Sequence, residues 1–420
     1  MDNYAAIVSR VEDIHPIPGA DRIVLLTVNG EQVIAQKDLW SVGDVGIFFP
    51  TNVVLSHDLM MYNNLYRKNP ETDEPMGGYM EADRRVRYIR MKGVGSRGLF
   101  LPVTALGYIK QLDASALLLY KGVGFEFNDI SGNLICEKYI ASAVLKAREQ
   151  DKNQKVGKTR SIKFVNFPEI GDTPRLTTNA RNLKDGDILV VTEKLHGTSA
   201  RTGYAEIKHT PNWADKLLSK FGYEKKKQYK YVSGTRRTVI GENSRDKFTD
   251  VRLKFHNLLL DKLRPGMVIY YEIVGPGVMP AHNASKEKDI AAKYGKTIHY
   301  NYGLNEGQYA AYIYKIVEHT VDGRPIVYSW EQLVEWCNQY ELNHVPEIER
   351  IVYQTESHKA TFEMITTYAD QPTSLGGMHP REGVVVHTIK GPRKFKGDTF
   401  CTLEGIMLNS DQYIDPEELV

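Results

Sequence analysis

Short runs of β-branched and aromatic residues alternate with turn signals along the first 110 residues of the chain. The strongest signal is the Asn29–Gly30 pair, because Asn-Gly between two apolar runs favours a two-residue hairpin. The runs on either side are Ile23–Val28 and residues 32–35. Further strands are predicted at residues 5–11, 42–50, 85–90 and 97–102. About five strands in such a short stretch predict a small β-barrel of the OB type, with residues 61–83 as a loop or insertion.

The rest of the chain predicts a mixture of helices and strands. Residues 248–263 form one candidate helix, whose apolar side holds Val251, Phe255, Leu258, Leu259 and Leu263. Ser329 and Gln332 form a capping-box pattern that begins another helix. A weaker candidate at residues 175–183 depends on Leu176, Ala180 and Leu183. At 420 residues the chain has room for two or three domains, and we expect an α+β fold.

Composition argues against several classes of protein. The sequence contains no run of about 18 apolar residues, so we expect no membrane span, and residues 1–4 do not resemble a secretory signal. The three cysteines, Cys136, Cys337 and Cys401, form no CxxC pair. This favours a reduced setting without structural zinc. We therefore expect a cytoplasmic or otherwise intracellular protein. As separate expectations, the protein is a monomer and is of cellular or viral origin.

Two stretches concentrate the positive charge. Residues 146–163 hold seven Lys or Arg and two acidic residues, and residues 213–230 hold six Lys and two acidic residues. Aromatic residues lie in or next to the second stretch: Trp213, Phe221, Tyr223, Tyr229 and Tyr231. Basic clusters of this kind suit a phosphate backbone, although a run of charge also occurs on an ordinary solvated face.

A lysine closes a predicted strand in the middle of the chain. Residues 187–192 read as a strand, Lys194 follows them, and Gly197 lies in the turn behind it. Residues 200–204 can return as a second strand. A lysine held in this way can act as a nucleophile, and a small-residue turn lets backbone approach a ligand closely. The alternative is a surface lysine in an ordinary hairpin, because K-x-x-G is a short pattern.

Two carboxylates interrupt later apolar strands. Glu272 lies within residues 268–275, and Glu382 precedes the valines at 384–386. A carboxylate among buried residues is costly unless it meets a cation or hydrogen-bond donors. Two of them downstream of a candidate nucleophile indicate a site for a metal ion and a phosphorylated ligand.

These three segments resemble a known family. The order K-x-x-G, Y-x-E-I-V-G and R-E-G-V-V-V is similar to nucleotidyltransferase motifs I, III and IV of ATP-dependent polynucleotide ligases. The Thr-Ser pair after Gly197 is closer to RNA ligases than to DNA ligases, which usually carry Asp where this chain has His196. The segments I-P-G-A-D-R, V-G-D, R-V-R-Y-I-R and G-L-F-L-P also resemble the OB domain that precedes the nucleotidyltransferase domain in one RNA ligase family. The resemblance covers residues 4–105 and 164–415.

The resemblance implies an OB domain at residues 1–120, a basic connector at 121–163 and a nucleotidyltransferase domain at 164–420. The last is expected to be ATP-grasp-like, with antiparallel sheets and helices. In such an enzyme Lys194 attacks ATP to form lysyl-AMP, and Glu382 binds Mg²⁺ or Mn²⁺. The implied nucleotide-binding residues are Glu193, Gly197, Arg201, Arg236 in preference to Arg237, Glu272, Tyr312, Tyr314, Lys394 and Lys396.

Two alternatives remain open within this pattern. The family carries a lysine shortly after motif IV that binds the triphosphate, and we prefer Lys394 and Lys396 for this motif V. A second alignment puts Met407 in that place, and the first reaction step would then be impaired. Tyr312 and Tyr314 share one face of a strand, where an aromatic ring could stack on adenine or both could be core residues.

The resemblance therefore predicts an ATP-dependent RNA ligase. Its partner would be RNA, or a duplex containing RNA, with 5′-phosphate and 3′-hydroxyl ends, and its role would be repair by nick sealing. One alternative is a nucleic-acid-binding protein on an inactive nucleotidyltransferase fold, if motif V is lost. Another is a DNA ligase or an RNA capping enzyme, but those usually place the OB domain after the transferase domain.

Overall fold

The structure, a computed structural model, is a mixed α+β fold, as the sequence predicts. It describes residues 3–110, 113–141, 144–145, 162–177, 182–209, 213, 217, 220, 226–241 and 247–408. Several predicted features lie wholly or partly outside these residues: both basic clusters, the weak helix at 175–183 and the end of the second motif V alignment. Among the described residues, no helix is both long enough and apolar enough to cross a membrane.

The N-terminal unit is built around an antiparallel sheet. Its strands are β1 (Ala6–Pro16), β2 (Ile23–Val28), β3 (Glu31–Gln36), β4 (Val45–Pro50), β5 (Val53–Leu55), β6 (Ile89–Met91), β7 (Val94–Ser96), β8 (Gly98–Pro102), β9 (Glu126–Phe127), β10 (Asp129–Ile130), β11 (Asn133–Leu134) and β12 (Cys136–Lys138). The main sheet has the order β3-β2-β1-β4-β8, with β9 on β1. Asn29 and Gly30 have φ of +53° and +70°, the conformation of the predicted hairpin turn. The strand predicted at 85–90 is reduced to β6.

The N-terminal unit extends beyond residue 120. Two helices belong to it, α1 (His57–Tyr62) and α2 (Ala114–Lys121). After α2, strand β9 pairs with β1, and β12 pairs with β5. Residues up to Lys138 lie in the predicted connector, but their strand partners belong to the first unit, which they therefore complete.

The C-terminal unit holds two larger antiparallel sheets. Its strands are β13 (Ile188–Lys194), β14 (Thr198–Glu206), β15 (Tyr229–Gly234), β16 (Met267–Val274), β17 (His282–Asn283), β18 (Thr297–Ile298), β19 (Ala310–His319), β20 (Pro325–Val327), β21 (Glu347–Val352), β22 (Gly383–Thr388) and β23 (Gly391–Lys396). The first sheet has the order β21-β13-β22-β23, and the second has the order β15-β14-β16-β19-β20. Strands β13 and β22 are neighbours in the first sheet, although the whole second sheet lies between them in sequence.

Helices cover these sheets. They are α3 (Thr249–Leu259), α4 (Lys288–Tyr294), α5 (Trp330–Gln339), α6 (His358–Ala369) and α7 (Asp398–Leu408). Ser329 and Gln332 make the predicted capping box of α5. Helix α3 matches the candidate at 248–263, but Leu258 is exposed and Arg252 is buried. The buried face of this helix is therefore rotated from the one that the apolar pattern predicts.

Strand β13 is buried on both faces. Leu189 and Val191 pack in one apolar cluster with Phe362 of α6. Val190, which points to the opposite face, joins the cluster formed by the second sheet and α5. This double burial fixes the strand whose last residue is Lys194.

A polar network joins the two units. Arg97 Nη2 lies 2.5 Å from Asp398 Oδ1, and Arg97 Nε lies 3.7 Å from Glu31 Oε2. Glu31 also accepts a hydrogen bond from Thr177 Oγ1 at 2.7 Å. Asp398 accepts a second one from the Tyr88 hydroxyl at 3.1 Å. Because Arg97 and Glu31 are both buried, loss of one member leaves an uncompensated charge in the interface.

Replacement of Asp398 by alanine should destabilise the protein by about 3 kcal/mol, because the buried Arg97 loses its closest carboxylate. The measurement is the urea midpoint of unfolding, with the m value unchanged. Asp322→Ala is the control, since its partner Arg324 has an 80% exposed side chain and surface pairs contribute less than about 1 kcal/mol. Equal losses for the two variants would contradict the importance of the Arg97–Asp398 pair.

Candidate active site

The chain leaves the first C-terminal sheet at Lys194 and enters the second sheet at Thr198. Strand β13 pairs with β21 and β22, whereas β14 pairs with β15 and β16. The ordinary hairpin considered as an alternative is therefore wrong. Gly197 lies at this crossing, where an added Cβ would be 2.3 Å from the Ile273 carbonyl oxygen. This glycine thus permits the close approach of strand β16 of the protein itself, and not of a ligand.

Strand register brings two lysines and a carboxylate together. Lys194, Gly383 and Lys396 are aligned across the adjacent strands β13, β22 and β23. Lys194 Nζ lies 2.6 Å from Glu382 Oε2, and Lys396 Nζ lies 3.3 Å from Glu382 Oε1. Glu404 Oε1, from α7, lies 2.7 Å from Lys396 Nζ. The two lysines therefore share the two oxygens of one carboxylate.

This carboxylate remains ionised although Glu382 is only 5% exposed. Burial alone would raise the pKa of Glu382, but Lys194 and then Lys396 hold that pKa well below the ordinary range. The next residue, Gly383, allows the strands to meet: an added Cβ there would lie 2.1 Å from the Phe395 carbonyl oxygen. The glycine of the R-E-G segment is therefore required by the close approach of β23.

A cavity of about 1310 Å³ opens beside this cluster. It is larger than most ligand pockets, which measure roughly 300–1,000 Å³. Both C-terminal sheets and the N-terminal unit contribute to its walls. Its lining includes Arg236, but not Arg237, and most of the other residues that the sequence singled out: Glu193, Lys194, Gly197, Glu272, Tyr314, Glu382, Lys394 and Lys396.

Glu193 borders the cavity, but its buried carboxylate is bonded to a neighbouring loop. It accepts hydrogen bonds from Thr373 Oγ1 at 2.6 Å and from the Ser374 amide and hydroxyl at 2.9 and 2.5 Å. Arg381 Nε lies 3.3 Å from it. These bonds leave only the backbone of Glu193 for the predicted contact with adenosine.

Arg201 lies away from the cavity and is 1% exposed. Its guanidinium donates to the carbonyl oxygens of Pro168 and, at 3.3 Å, of Arg237. It also stacks over the Phe167 ring, 4.5 Å from the centroid. The structure therefore gives Arg201 other partners than the predicted phosphate, because this side chain ties the segment before β13 to strand β14.

Only one of the two candidate tyrosines lines the cavity. The pairing of β16 with β19 shifts so that Tyr270 faces Lys315 and Tyr271 faces Ile313. Tyr314 is the extra residue of this bulge. Because a bulge interrupts the alternation of side chains, Tyr314 lines the cavity while Tyr312 does not, contrary to the shared face that their spacing predicts.

The cavity favours the first of the two motif V alignments. Lys394 and Lys396 both line it, and Lys396 contacts Glu382 directly. Met407 belongs to α7 and is not part of the cavity wall. The positions of Lys394 and Lys396 in the cavity wall therefore support these two lysines over Met407 as motif V.

Sequence reasoning assigned no role to two groups beside Glu382. His196 Nδ1 lies 3.7 Å from Glu382 Oε2. The His196 ring packs against Tyr300 and Phe400, with centroids 4.7 and 4.8 Å apart. The second group, Glu404, carries no motif in the sequence, since its contact with the site arises only where α7 folds back past β23.

Metal ligands are sparse around the cavity. Within the described ranges, no group of three or more His, Cys, Asp or Glu could hold a metal ion. Glu382 and Glu272 line the cavity as separate carboxylates, and Glu272 accepts a hydrogen bond from Ser199 Oγ at 3.0 Å. An ion bound here would take most of its ligands from water and from a phosphorylated ligand, which is the usual mode of Mg²⁺ binding.

Lys394 has an unusual charge state for a lysine. Burial, together with repulsion by Lys396 and Lys194, lowers the pKa of Lys394 to about 7, although Asp172 opposes them. The cavity therefore gains a positive charge as the pH falls through neutrality.

The Lys394 side chain should accordingly titrate near pH 7, far below the ordinary value of about 10.4. Heteronuclear NMR of ¹³C-labelled lysine side chains measures this titration, and Lys394→Arg identifies the resonance. Sulfate, whose own charge is constant in this range, should bind more tightly below pH 7 than above it. Ordinary titration of every lysine would contradict the burial of Lys394.

Family models match both parts of the chain. Residues 187–400 match the model described as RNA ligase, and residues 5–103 match a model described as an OB-fold domain. The predicted order of the two, with the OB fold first, is confirmed. Among curated protein sequences, none matches this chain significantly.

Solved structures share the same fold along almost the whole chain. Naegleria gruberi RNA ligase with PPi is 17% identical, with a TM-score of 0.59, and the match covers 96% of this chain and 98% of that one. A mutant of the Naegleria enzyme with ATP and Mn is 17% identical, with a TM-score of 0.57, covering 94% and 98%. Another mutant, with AMP and Mn, is 17% identical, with a TM-score of 0.55, covering 94% and 98%.

Proposed function

The chain belongs to the RNA ligase family, and from this premise we propose that it is an ATP-dependent RNA ligase acting through Lys194. It joins a 5′-phosphate end to a 3′-hydroxyl end of RNA or of a duplex containing RNA, and so repairs nicks. The observation that carries the proposal is the contact of Lys194 and Lys396 with the buried Glu382 beside the cavity.

The two lysines have different surroundings, and these suggest different roles. Lys396 contacts two carboxylates, Glu382 and Glu404, whereas Lys194 contacts Glu382 alone within the described residues. Burial would lower the pKa of Lys396, but Glu404 and Glu382 raise that pKa well above the ordinary range. Lys396 therefore stays charged and suits phosphate binding, while Lys194, which has one carboxylate partner among the described residues, is assigned the attack on ATP.

The first step is transfer of AMP to the protein. Lys194 Nζ, after losing a proton, forms a P–N bond to the α-phosphorus of ATP. The P–O bond to pyrophosphate breaks, and pyrophosphate leaves with the electron pair. Lys394, Lys396 and Arg236 line the cavity and supply positive charge for the phosphates.

The second and third steps use the RNA ends. An oxygen of the 5′-phosphate attacks the phosphorus of lysyl-AMP, the P–N bond breaks, and a phosphoanhydride to AMP forms. The 3′-hydroxyl then loses its proton and attacks the 5′-phosphate, so that a phosphodiester forms and AMP leaves. Lys194 returns to its starting state.

The residues present fit a divalent cation that is shared with the substrate. Glu382 and Glu272 are the carboxylates that would contact Mg²⁺ or Mn²⁺, with phosphate oxygens and water completing the shell. The ion would neutralise charge on the phosphates. The Naegleria mutants solved with Mn and either ATP or AMP support this assignment.

RNA binding is assigned to the OB domain and the basic clusters. We propose a first domain of residues 1–120 that the strands up to Lys138 extend, then a connector up to residue 163, and a nucleotidyltransferase domain at 164–420. The clusters at 146–163 and 213–230 would contact the phosphate backbone. Their described lysines are exposed: Lys163, Lys220, Lys226, Lys227 and Lys230. A monomer suffices for this arrangement, because one chain supplies every assigned group.

Lys194→Ala should abolish attachment of AMP to the protein, because Lys396, the other lysine on Glu382, is held in its charged form by two carboxylates. Mass spectrometry of the protein after incubation with ATP and Mn²⁺ measures the adduct. Lys390→Ala, which changes an exposed lysine on the β22–β23 turn, is the control and should keep the adduct. Wild-type levels of AMP on the Lys194→Ala variant would refute the assignment of the nucleophile.

Glu382→Gln should slow adduct formation by about 100-fold or more, because it removes the charge that both lysines share and a ligand for the ion. Glu272→Gln should instead raise the KM for ATP. Initial rates across Mg²⁺ and Mn²⁺ titrations measure both effects, with the exposed Glu306→Gln as control. Wild-type rates for Glu382→Gln at every metal concentration would eliminate the metal-site proposal.

A further inference from the structure

Three tyrosines lie close together at one edge of the second C-terminal sheet. Strand β15 is the last strand on this side of the sheet. Tyr204 of β14 lies directly opposite Tyr231 of β15. Their rings stack, with centroids 4.4 Å apart and 23° between the planes, and the Tyr229 ring lies 5.6 Å from that of Tyr204. The reaction proposed above gives these three rings no role.

The tyrosines are accessible from solvent. Tyr231 is 41% exposed, and Tyr204 and Tyr229 are half-buried. Stacking of tyrosines across two strands stabilises a sheet, but it does not require the rings to stay open to solvent. The exposed part of Tyr231 can stack a further ring, and every nucleobase has a flat face of this kind.

The charge around the tyrosines is mostly positive. Glu206, which lies opposite Tyr229, is already paired with Lys227, at 3.0 Å. Lys208 and Lys230, at the ends of the same two strands, are exposed. Exposed lysines beside stacked aromatic rings are the two components of a site that binds the phosphates and the bases of one strand.

The two strands that carry the tyrosines also lead to the large cavity. Strand β14 begins at Thr198, four residues after Lys194. Tyr204 lies six residues farther along, which is about 20 Å at the usual rise of a strand. Strand β15 ends at Gly234, and Arg236, which follows it, lines the cavity. An RNA end in the cavity therefore has the tyrosines within reach of the same molecule.

The route from the cavity to the tyrosines passes round the edge strand. Ser199 lines the cavity, whereas Tyr204 points to the opposite face of the sheet, because side chains alternate along a strand. Lys230 lies opposite Ala205 and so shares the face of Ser199. This exposed lysine is therefore placed between the cavity and the tyrosines, where the backbone of the strand would turn round β15.

Stacking on a side chain distinguishes unpaired RNA from duplex RNA. In a duplex the base faces are covered by neighbouring bases, and proteins contact mainly phosphates and 2′-hydroxyls. Aromatic side chains that stack on bases are instead typical of sites for single strands. Lysines alone bind both forms, so the tyrosines are the groups that can select between them.

We propose that Tyr204, Tyr229 and Tyr231 form a stacking site for unpaired bases of the RNA substrate. The proposal rests on the proposed ligase function and names the substrate class: RNA with a single-stranded segment a few nucleotides from the end that is joined. The rings hold the bases of this segment, and the neighbouring lysines hold its phosphates.

Fluorescence anisotropy with the full-length protein tests the site on a short unstructured RNA with a 5′-phosphate and on a blunt RNA duplex of equal length. Tyr231→Leu, which keeps an apolar side chain without a ring, should weaken binding of the single strand roughly 5- to 100-fold, the effect of one lost base stack. Binding of the duplex and attachment of AMP should not change. Tyr231→Phe keeps the ring and should bind as the wild type does. The matched control is Tyr368→Leu, which changes a half-buried tyrosine of α6 and should have no effect.

Salt dependence separates stacking from charge. Lys230→Met should reduce the slope of log affinity against log salt concentration by about 0.7, the value for one phosphate contact of a single strand. Tyr231→Leu should lower the affinity at every salt concentration and keep the wild-type slope, because stacking releases no counterions. A reduced slope for Tyr231→Leu, or an unchanged slope for Lys230→Met, would overturn the proposal.

Unchanged single-strand affinity of Tyr231→Leu, or equal losses on the single strand and the duplex, would also overturn it and leave the tyrosines a packing role in the sheet. Tyr229→Leu carries the same expectation and replaces Tyr231→Leu if that variant does not fold. If the wild-type protein formed no AMP adduct, the ligase function would fail. The binding measurements would still decide whether the tyrosines bind unpaired RNA.

Discussion

A buried carboxylate held between two ammonium groups is the interaction on which this site depends. Removal of Glu382 from water is tolerable only because each of its oxygens meets a lysine. Lys194 and Lys396 end two strands of one sheet, and Glu382 directly precedes the strand between them. Their meeting therefore requires the correct register, and a slip by one residue would turn every side chain to the other face. Glycine is required at positions 197 and 383 because a Cβ at either position would force apart the strands that carry the charges.

Helix α7 couples this site to the boundary between the two units. Its first residue, Asp398, holds Arg97 of the N-terminal unit, and Glu404, farther along the same helix, holds Lys396. The cavity walls also come from both units, with Arg85 on one side and Lys394 on the other. The N-terminal unit therefore forms part of the cavity wall, and a change at the interface can reach Lys396 through one helix.

Local patterns in the sequence predicted local structure well. The Asn29–Gly30 turn and the capping box at Ser329 formed as expected, because each depends on a few consecutive residues. Glu382 was predicted because a carboxylate inside an apolar strand requires a partner, Lys194 because it closes a strand before a glycine turn, and Lys396 through the resemblance to motif V.

Features that depend on distant parts of the chain were harder to predict. The pattern around Arg201 does not reveal that Phe167 and Pro168 cover it. The spacing of Tyr312 and Tyr314 does not reveal a bulge. Glu404 acts only because α7 folds back onto Lys396, and no nearby residue marks that contact.

The insertion of the second sheet between β13 and β22 also sets an order of events during synthesis. Thr192 donates a hydrogen bond to the Val385 carbonyl, across 193 positions of the chain. The strand that ends in Lys194 therefore leaves the ribosome long before its neighbour exists. Non-local pairings of this kind close late. Until then Lys194 lacks its carboxylate partner Glu382, and Lys396 lacks Glu404, the second carboxylate that sets its surroundings apart from those of Lys194. Under the proposed function, a nascent chain therefore lacks an assembled site for the reaction with ATP until its last strands are in place.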